Sequence, residues 1–109
     1  MSQTINMPAA EINERLRRNG VVINHGTGQT QGYVLTENDT HIWGMVTSLD
    51  ISSGLTLTGE YVIQFDSGAT PTTFTYPATL KWKSTPFIEP NTRYYVYIVR
   101  GCAVMLGFQ

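Results

Sequence analysis

The second half of the chain consists of short runs in which apolar and polar positions alternate, divided by glycine, proline and asparagine. The clearest runs are Tyr61 to Phe65, Phe74 to Tyr76, Leu80 to Trp82 and Arg93 to Val99. A period of two residues predicts half-buried β-strands, and the residues between the runs predict turns. Three earlier runs, Val21 to Ile23, Gly32 to Leu35 and His41 to Leu49, predict further strands. The pattern therefore indicates an all-β domain.

The run Arg93 to Val99 is apolar or aromatic at nearly every position. Such a strand is typically covered on both faces, so we expect it to be central in a sheet or to lie at an interface. If Arg100 and Gly101 form a two-residue turn, the strand that follows pairs Tyr97 with Val104 and Tyr95 with Leu106.

One helix is predicted at the start of the chain, from Pro8 to Gly20. Proline opens it, acidic residues occupy its first turn, arginines occupy its last turn and Asn-Gly ends it. A narrow apolar stripe runs along it and consists of Ile5, Ala9, Ile12 and Leu16. A stripe of this width is typical of a coiled-coil seam. Two interpretations remain open, because the helix either docks on the β domain or bundles with copies of itself.

These elements predict two regions within one domain-sized chain. Residues 1–19 form an N-terminal helical attachment segment, and residues 20–109 form a single antiparallel β-sandwich or jelly-roll-like domain. Ile5, Ile12 and Leu16 are the candidate contacts to other copies or to a larger shell. The composition favours strands and is low in charge, with fifteen threonines, six tyrosines and only two lysines. Such a composition is typical of oligomeric β proteins.

Charge is distributed unevenly along the chain. Residues 19–80 contain five acidic residues and no lysine or arginine, whereas both ends are basic. Surface patches of opposite charge can steer copies toward each other or toward a charged shell. The alternative interpretation is that these charged residues are scattered over the surface and solvated, without forming patches. The basic residues near the end of the chain are too sparse for a nucleic-acid footprint, so no nucleic-acid partner is expected.

The sequence contains few side chains that could catalyse a reaction or bind a metal. The candidate bases are His25, in a predicted Gly-rich loop, and His41, at a predicted strand start, and neither lies within a catalytic or metal-binding motif. Cys102 is the only cysteine and falls in an apolar run, where we expect a small buried side chain. We therefore expect no enzyme activity, cofactor, metal or disulfide. A fold that must stand without an internal disulfide fits synthesis in a reducing cytoplasm. We identify no targeting signal and no membrane-spanning run in the sequence.

Aromatic side chains are the remaining candidates for binding. Trp82, Tyr95 and Tyr97 could present flat faces to a sugar or to a protein. In a domain of this size most aromatic residues belong to the core or to subunit contacts. Both interpretations, ligand binding and packing, therefore remain open for these three residues.

The run from Glu60 to Trp82 contains a Glu-Tyr strand, a Ser-Gly-Ala-Thr loop, a proline-centred turn and Leu-Lys-Trp. It is followed by Pro90-Asn91-Thr92 and by the run Tyr94 to Ile98. This order resembles a recurrent module in virion proteins of tailed bacteriophages, found at the ends of head fibres, tail fibres and related appendages, including those of crAss-like phages. The resemblance covers roughly residues 45–107. The chain departs from the common form at Lys83-Ser84-Thr85, where related modules often carry a Gly-containing loop.

The resemblance implies a β-sandwich-like homotrimer without catalytic activity. Its expected partners are copies of itself and the major capsid protein or another virion protein, and its expected location is the virion after synthesis in the host cytoplasm. No membrane partner is implied. Two functions remain: a capsid decoration or short head fibre, which the small size of the chain favours, or the receptor- or glycan-binding tip of a tail fibre that contacts a host surface glycan.

Overall fold

The computed structural model describes residues 21–28, 35–53, 55–56 and 58–109, and in these ranges the regular structure is entirely β. The eight strands are β1 (Val22–Gly26), β2 (Thr40–Met45), β3 (Ser48–Asp50), β4 (Glu60–Asp66), β5 (Thr73–Thr75), β6 (Lys81–Trp82), β7 (Arg93–Val99) and β8 (Cys102–Phe108). The predicted mainly-β class is confirmed. The predicted N-terminal helix, with Ile5, Ile12 and Leu16, lies outside the described residues.

The strands form one sheet of six and one sheet of two. The large sheet has the order β1-β2-β4-β7-β8-β6, and the small sheet pairs β3 with β5. Only β4 with β7 and β7 with β8 are antiparallel, whereas the other four pairings are parallel. The expectation of an antiparallel domain is therefore wrong. Strand alternation reports which face is buried and carries no information on strand direction, which is set by connections that leave the sheet and return.

The predicted strand from His41 to Leu49 is two strands in two sheets. β2 ends at Met45, and β3 begins at Ser48 beside β5. Between them Val46 is buried, its N–H donates to the Asp66 carbonyl at 3.1 Å, and its own carbonyl accepts the buried Thr72 hydroxyl at 2.7 Å. These bonds satisfy the backbone where the chain crosses from one sheet to the other.

The core contains residues of both sheets. Its buried hydrophobic members are Leu35, Trp43, Val46, Leu49, Ile51, Tyr61, Ile63, Phe65, Leu80, Tyr94, Val96, Ile98 and Ala103. Phe65 of β4 stacks on Phe74 of β5 and on Tyr94 of β7, with ring centroids 5.5 Å apart in both pairs. Fully burying one such large apolar side chain stabilises the fold by about 1.5–3 kcal/mol. Of these two contacts, Phe65 with Phe74 packs the small sheet on the large one, and Phe65 with Tyr94 lies within the large sheet.

The predicted hairpin at Arg100 and Gly101 is confirmed in its register. Tyr97 pairs with Val104, and Tyr95 pairs with Leu106. The two turn residues have φ values of 51° and 81°, as a type I′ turn requires. The Arg100 N–H also donates to the Gly59 carbonyl at 3.0 Å, which fixes this end of β7 to the residue before β4.

The turn gives a first prediction. Replacing Gly101 with valine adds a β-branched side chain at positive φ and should lower the free energy of unfolding by about 1–2 kcal/mol. Arg100→Asn, which places a residue that tolerates positive φ better, should raise it by several tenths of a kcal/mol. Urea unfolding followed by circular dichroism measures both. Ala69→Val, at an exposed loop position, is the control and should stay within about 0.5 kcal/mol of the parent. Equal stability of the Gly101→Val variant and the parent would contradict the turn assignment.

Candidate functional site

The large sheet has one side against the core and one side facing outward, which we call the outer face. Strand register and alternation assign to it Val22, Asn24, Thr40, Ile42, Glu60, Val62, Gln64, Asp66, Lys81, Arg93, Tyr95, Tyr97, Val99, Cys102, Val104, Leu106 and Phe108. Two rows cross the middle of the sheet on this face. The first consists of Val22, Thr40, Val62, Tyr97 and Val104. The second consists of Asn24, Ile42, Gln64, Tyr95 and Leu106.

Large apolar side chains are exposed on the outer face. The exposed fractions are 68% for Val22, 39% for Tyr97, 49% for Val99, 44% for Leu106 and 55% for Phe108. Phe108 and Tyr95 form an edge-to-face pair with centroids 5.7 Å apart. The exposed apolar residues amount to roughly 500 Å², near the upper end of the largest apolar patches of ordinary monomers.

Charged residues of the outer face lie at its margin. Glu60 is at one end of β4, Asp66 and Arg93 are at the other end of the β4–β7 pair, and Lys81 is on the edge strand β6. The Arg93 guanidinium donates to both carboxylate oxygens of Asp66, at 2.7 and 3.1 Å, and this partner raises the pKa of Arg93. Two positive and two negative residues give the face a formal charge of zero. Its centre is thus neutral.

The three candidate aromatics fall on different sides of the sheet. Tyr95 and Tyr97 lie on the outer face, where Tyr97 is exposed and Tyr95 is half-buried. Trp82 lies on the opposite side and is half-buried against the core, with its ring 4.8 Å from Tyr76 and 6.3 Å from Phe74. The structure therefore brings the two tyrosines together and assigns the tryptophan to packing.

Cys102 is exposed on the outer face, so the expectation of a buried thiol is wrong. It is the first residue of β8 and faces Val99, which also points outward. The apolar run around it suggested burial, but alternation along β8 places its neighbour Ala103 in the core instead.

A second feature, which we call the loop cavity, lies at the loop from Ser84 to Pro90, where a glycan-binding tip would require exposed aromatic residues. It is an open cavity of about 650 Å³ between the β6–β7 loop and the end of β8, and its lining includes Phe87, Glu89, Tyr94 and Gln109. Phe87 is 76% exposed. The Tyr94 hydroxyl accepts the Glu89 N–H at 2.6 Å, and Gln109 donates to the Glu89 carboxylate at 3.2 Å. A single aromatic residue between two prolines carried no periodic signal that could have revealed this exposure.

The two histidines are adjacent. His25 lies in β1, so its placement in a loop was wrong, and its Nε2 is 3.0 Å from Nδ1 of the fully buried His41. Nε2 of His41 lies 3.0 Å from the Thr36 carbonyl. A His41 ring protonated on Nε2 donates to Thr36 and accepts from His25. His25 also stacks on Trp43 at 4.2 Å.

This histidine pair connects β1 to β2 and to the segment before it. Burial, and next the nearby charge of His41, lower the pKa of His25 from its ordinary value of 6.5. In the part of the chain that the structure describes, no group of three or more His, Cys, Asp or Glu side chains is arranged to hold a metal ion. The geometry of the pair suits a structural hydrogen bond.

Comparisons with protein-family models, with curated proteins and with solved structures gave no match to this chain. Among the described residues there is no helix that is both long enough and apolar enough to span a bilayer.

The histidine pair gives a second prediction. Because the folded state lowers the pKa of His25, the unfolded chain binds a proton more readily there, and the stability contributed by neutral His25 should be lost as the pH falls below 6.5. The free energy of unfolding should therefore decline between about pH 7.5 and pH 5.5, a window that lies above ordinary carboxyl titration. Urea unfolding at several pH values measures it. In His25→Gln the decline should be shallower, and an equal decline in both proteins would contradict the assignment.

Proposed function

We propose that this chain is a non-enzymatic structural virion protein of a tailed bacteriophage, a homotrimeric capsid decoration or short head fibre. The observation that supports it most is how the residues of the phage-type module contact each other. The Ser67 N–H donates to the Thr92 carbonyl at 2.9 Å, and the Thr92 N–H donates to the Ser67 hydroxyl at 3.1 Å. The Asn91 N–H donates to the Gly68 carbonyl at 2.9 Å.

These bonds join two loops that are distant in sequence, the Ser-Gly-Ala-Thr loop and the Pro-Asn-Thr turn. Asn91 adopts a φ of 54°, which asparagine tolerates better than most residues. The quoted motif residues thus hold one end of the β4–β7 pair together. This is a physical reason for the two motifs to occur jointly, and it supports treating residues 45–107 as one structural module.

The finer architecture in this proposal is a β-sandwich-like module. Its support is the packing of the small sheet on the large one through Phe65 and Phe74. In the proposed assembly the β domain forms an outward knob, and the N-terminal segment of residues 1–19 contacts the capsid or another virion protein.

The proposed trimer gives a third prediction. Size exclusion with light scattering at tens of micromolar should give a mass about three times the protomer mass of 12.2 kDa. A mass of one protomer across this concentration range would contradict the proposal. Electron microscopy of a phage particle that carries this protein should then show its density at symmetry positions on the head.

The alternative function is a receptor- or glycan-binding tip. The loop cavity favours it, because Phe87 offers an exposed aromatic surface beside polar groups of Ser84, Thr85 and Glu89. Aromatic faces with neighbouring hydrogen-bonding groups are suited to sugar rings, which have apolar faces and polar edges.

A glycan array gives a fourth prediction for this alternative. If the loop cavity binds a glycan, the protein should bind one sugar class reproducibly, and Phe87→Ala should reduce that binding at least tenfold because the stacking surface is lost. Val21→Ala, which shortens an exposed apolar side chain outside both the cavity lining and the outer-face set, is the control and should bind as the parent does. Binding that is absent, or that Phe87→Ala leaves unchanged, would contradict this alternative while leaving the structural role untouched.

A further inference from the structure

We infer that the outer face is the surface through which copies of this chain pack against each other. The inference rests on the proposed function, since it assigns the contact surface of the proposed homo-oligomer. It requires no contribution from the loop cavity.

The first argument is the area of apolar surface. Roughly 500 Å² of exposed apolar residues lies on the outer face, and a stable interface needs about 800 Å² per partner, of which the apolar part is typically somewhat over half. The polar members Asn24, Thr40 and Gln64 fill the gaps in the two apolar rows. The face therefore has the size and composition of one half of an interface.

The second argument is the placement of charge. Interfaces between proteins are depleted of charge at the centre and polar at the rim. The outer face has this arrangement, because Glu60, Asp66, Lys81 and Arg93 lie at its ends or edge. A face with zero formal charge meets an identical face without net repulsion, whereas a face of one sign would favour a partner of the opposite sign.

The third argument is shape. The face is built from paired strands whose side chains stand in rows, and in a trimer three such faces can meet around a common threefold axis, each contributing its rows to a shared apolar contact. Tyr95 and Tyr97 lie near the middle of these rows, and tyrosine is enriched at the centres of interfaces. The strand β7 would then be covered on both sides, as its apolar and aromatic sequence suggests.

The test uses the full chain with Tyr97→Lys and, separately, Leu106→Lys, each of which places a charge at the centre of the outer face. Phe87→Lys is the matched control, because it replaces an exposed aromatic residue away from this face. Sedimentation velocity over a concentration series should show a dissociation constant at least tenfold higher for both outer-face variants and unchanged for the control. Circular dichroism spectra should match the parent, since these side chains are exposed.

Native Cys102 provides a second measurement, because it lies on the same face. A bulky maleimide should modify it at least tenfold more slowly in the assembled parent than in Tyr97→Lys at equal concentration. The outer face is the wrong surface if maleimide modifies Cys102 equally fast in the parent and in Tyr97→Lys. The same holds if the outer-face variants associate as tightly as the control. In either case an oligomeric parent still agrees with the proposed function. A monomeric parent would overturn both. A monomeric parent whose melting temperature falls in Tyr97→Lys would indicate that residues 1–20 cover the face instead.

Discussion

The antiparallel register of β4 and β7 is the constraint on which the remaining structure depends. Tyr61, Ile63 and Phe65 face Ile98, Val96 and Tyr94 across this pair, and all six side chains are buried. Because side chains alternate along a strand, a slip of one residue would move this set to the outer face and bring the outer residues into the core. Both ends of the pair are fixed by hydrogen bonds, from Arg100 to Gly59 at one end and between Ser67 and Thr92 at the other.

The same register determines which residues form the outer face. Once the inner positions of β4 and β7 are committed to the core, the positions between them must face outward, which places Val62 beside Tyr97 and Gln64 beside Tyr95. The hairpin adds Val104 and Leu106 to the same rows. When the inner positions of these strands form the core, the alternate positions necessarily form the outer face. The residue types at those alternate positions then decide whether the outer face is apolar or polar. Several of those outer positions are apolar and exposed, and the proposed contact between copies would bury them.

The sequence was informative where the signal is local. The turn at Arg100 and Gly101 fixes the register of β7 and β8, since a two-residue connection leaves one pairing that suits both strands. The sequence was uninformative where the structure depends on contacts between residues that are far apart along the chain. The parallel pairing of β1, β2 and β4 and the division of His41 to Leu49 between two sheets depend on contacts such as Thr72 to Val46, which no local pattern contains. For the candidate sites, Tyr95 and Tyr97 could be predicted from strand alternation, whereas Phe87 depends on a loop held by the Tyr94 hydroxyl.

The outer face and the loop cavity can serve one molecule without competing. The cavity lies at the end of the β4–β7 pair where Thr92 and Gln109 meet the β6–β7 loop, and its aromatic residue Phe87 is not part of the sheet. Copies that pack through the outer face would leave Phe87 exposed in every protomer. Weak binding at each cavity would then be strengthened by the simultaneous engagement of several copies, because linked sites raise the effective concentration of the next one. The proposed structural role and the alternative receptor-binding role are thus compatible in the same assembly.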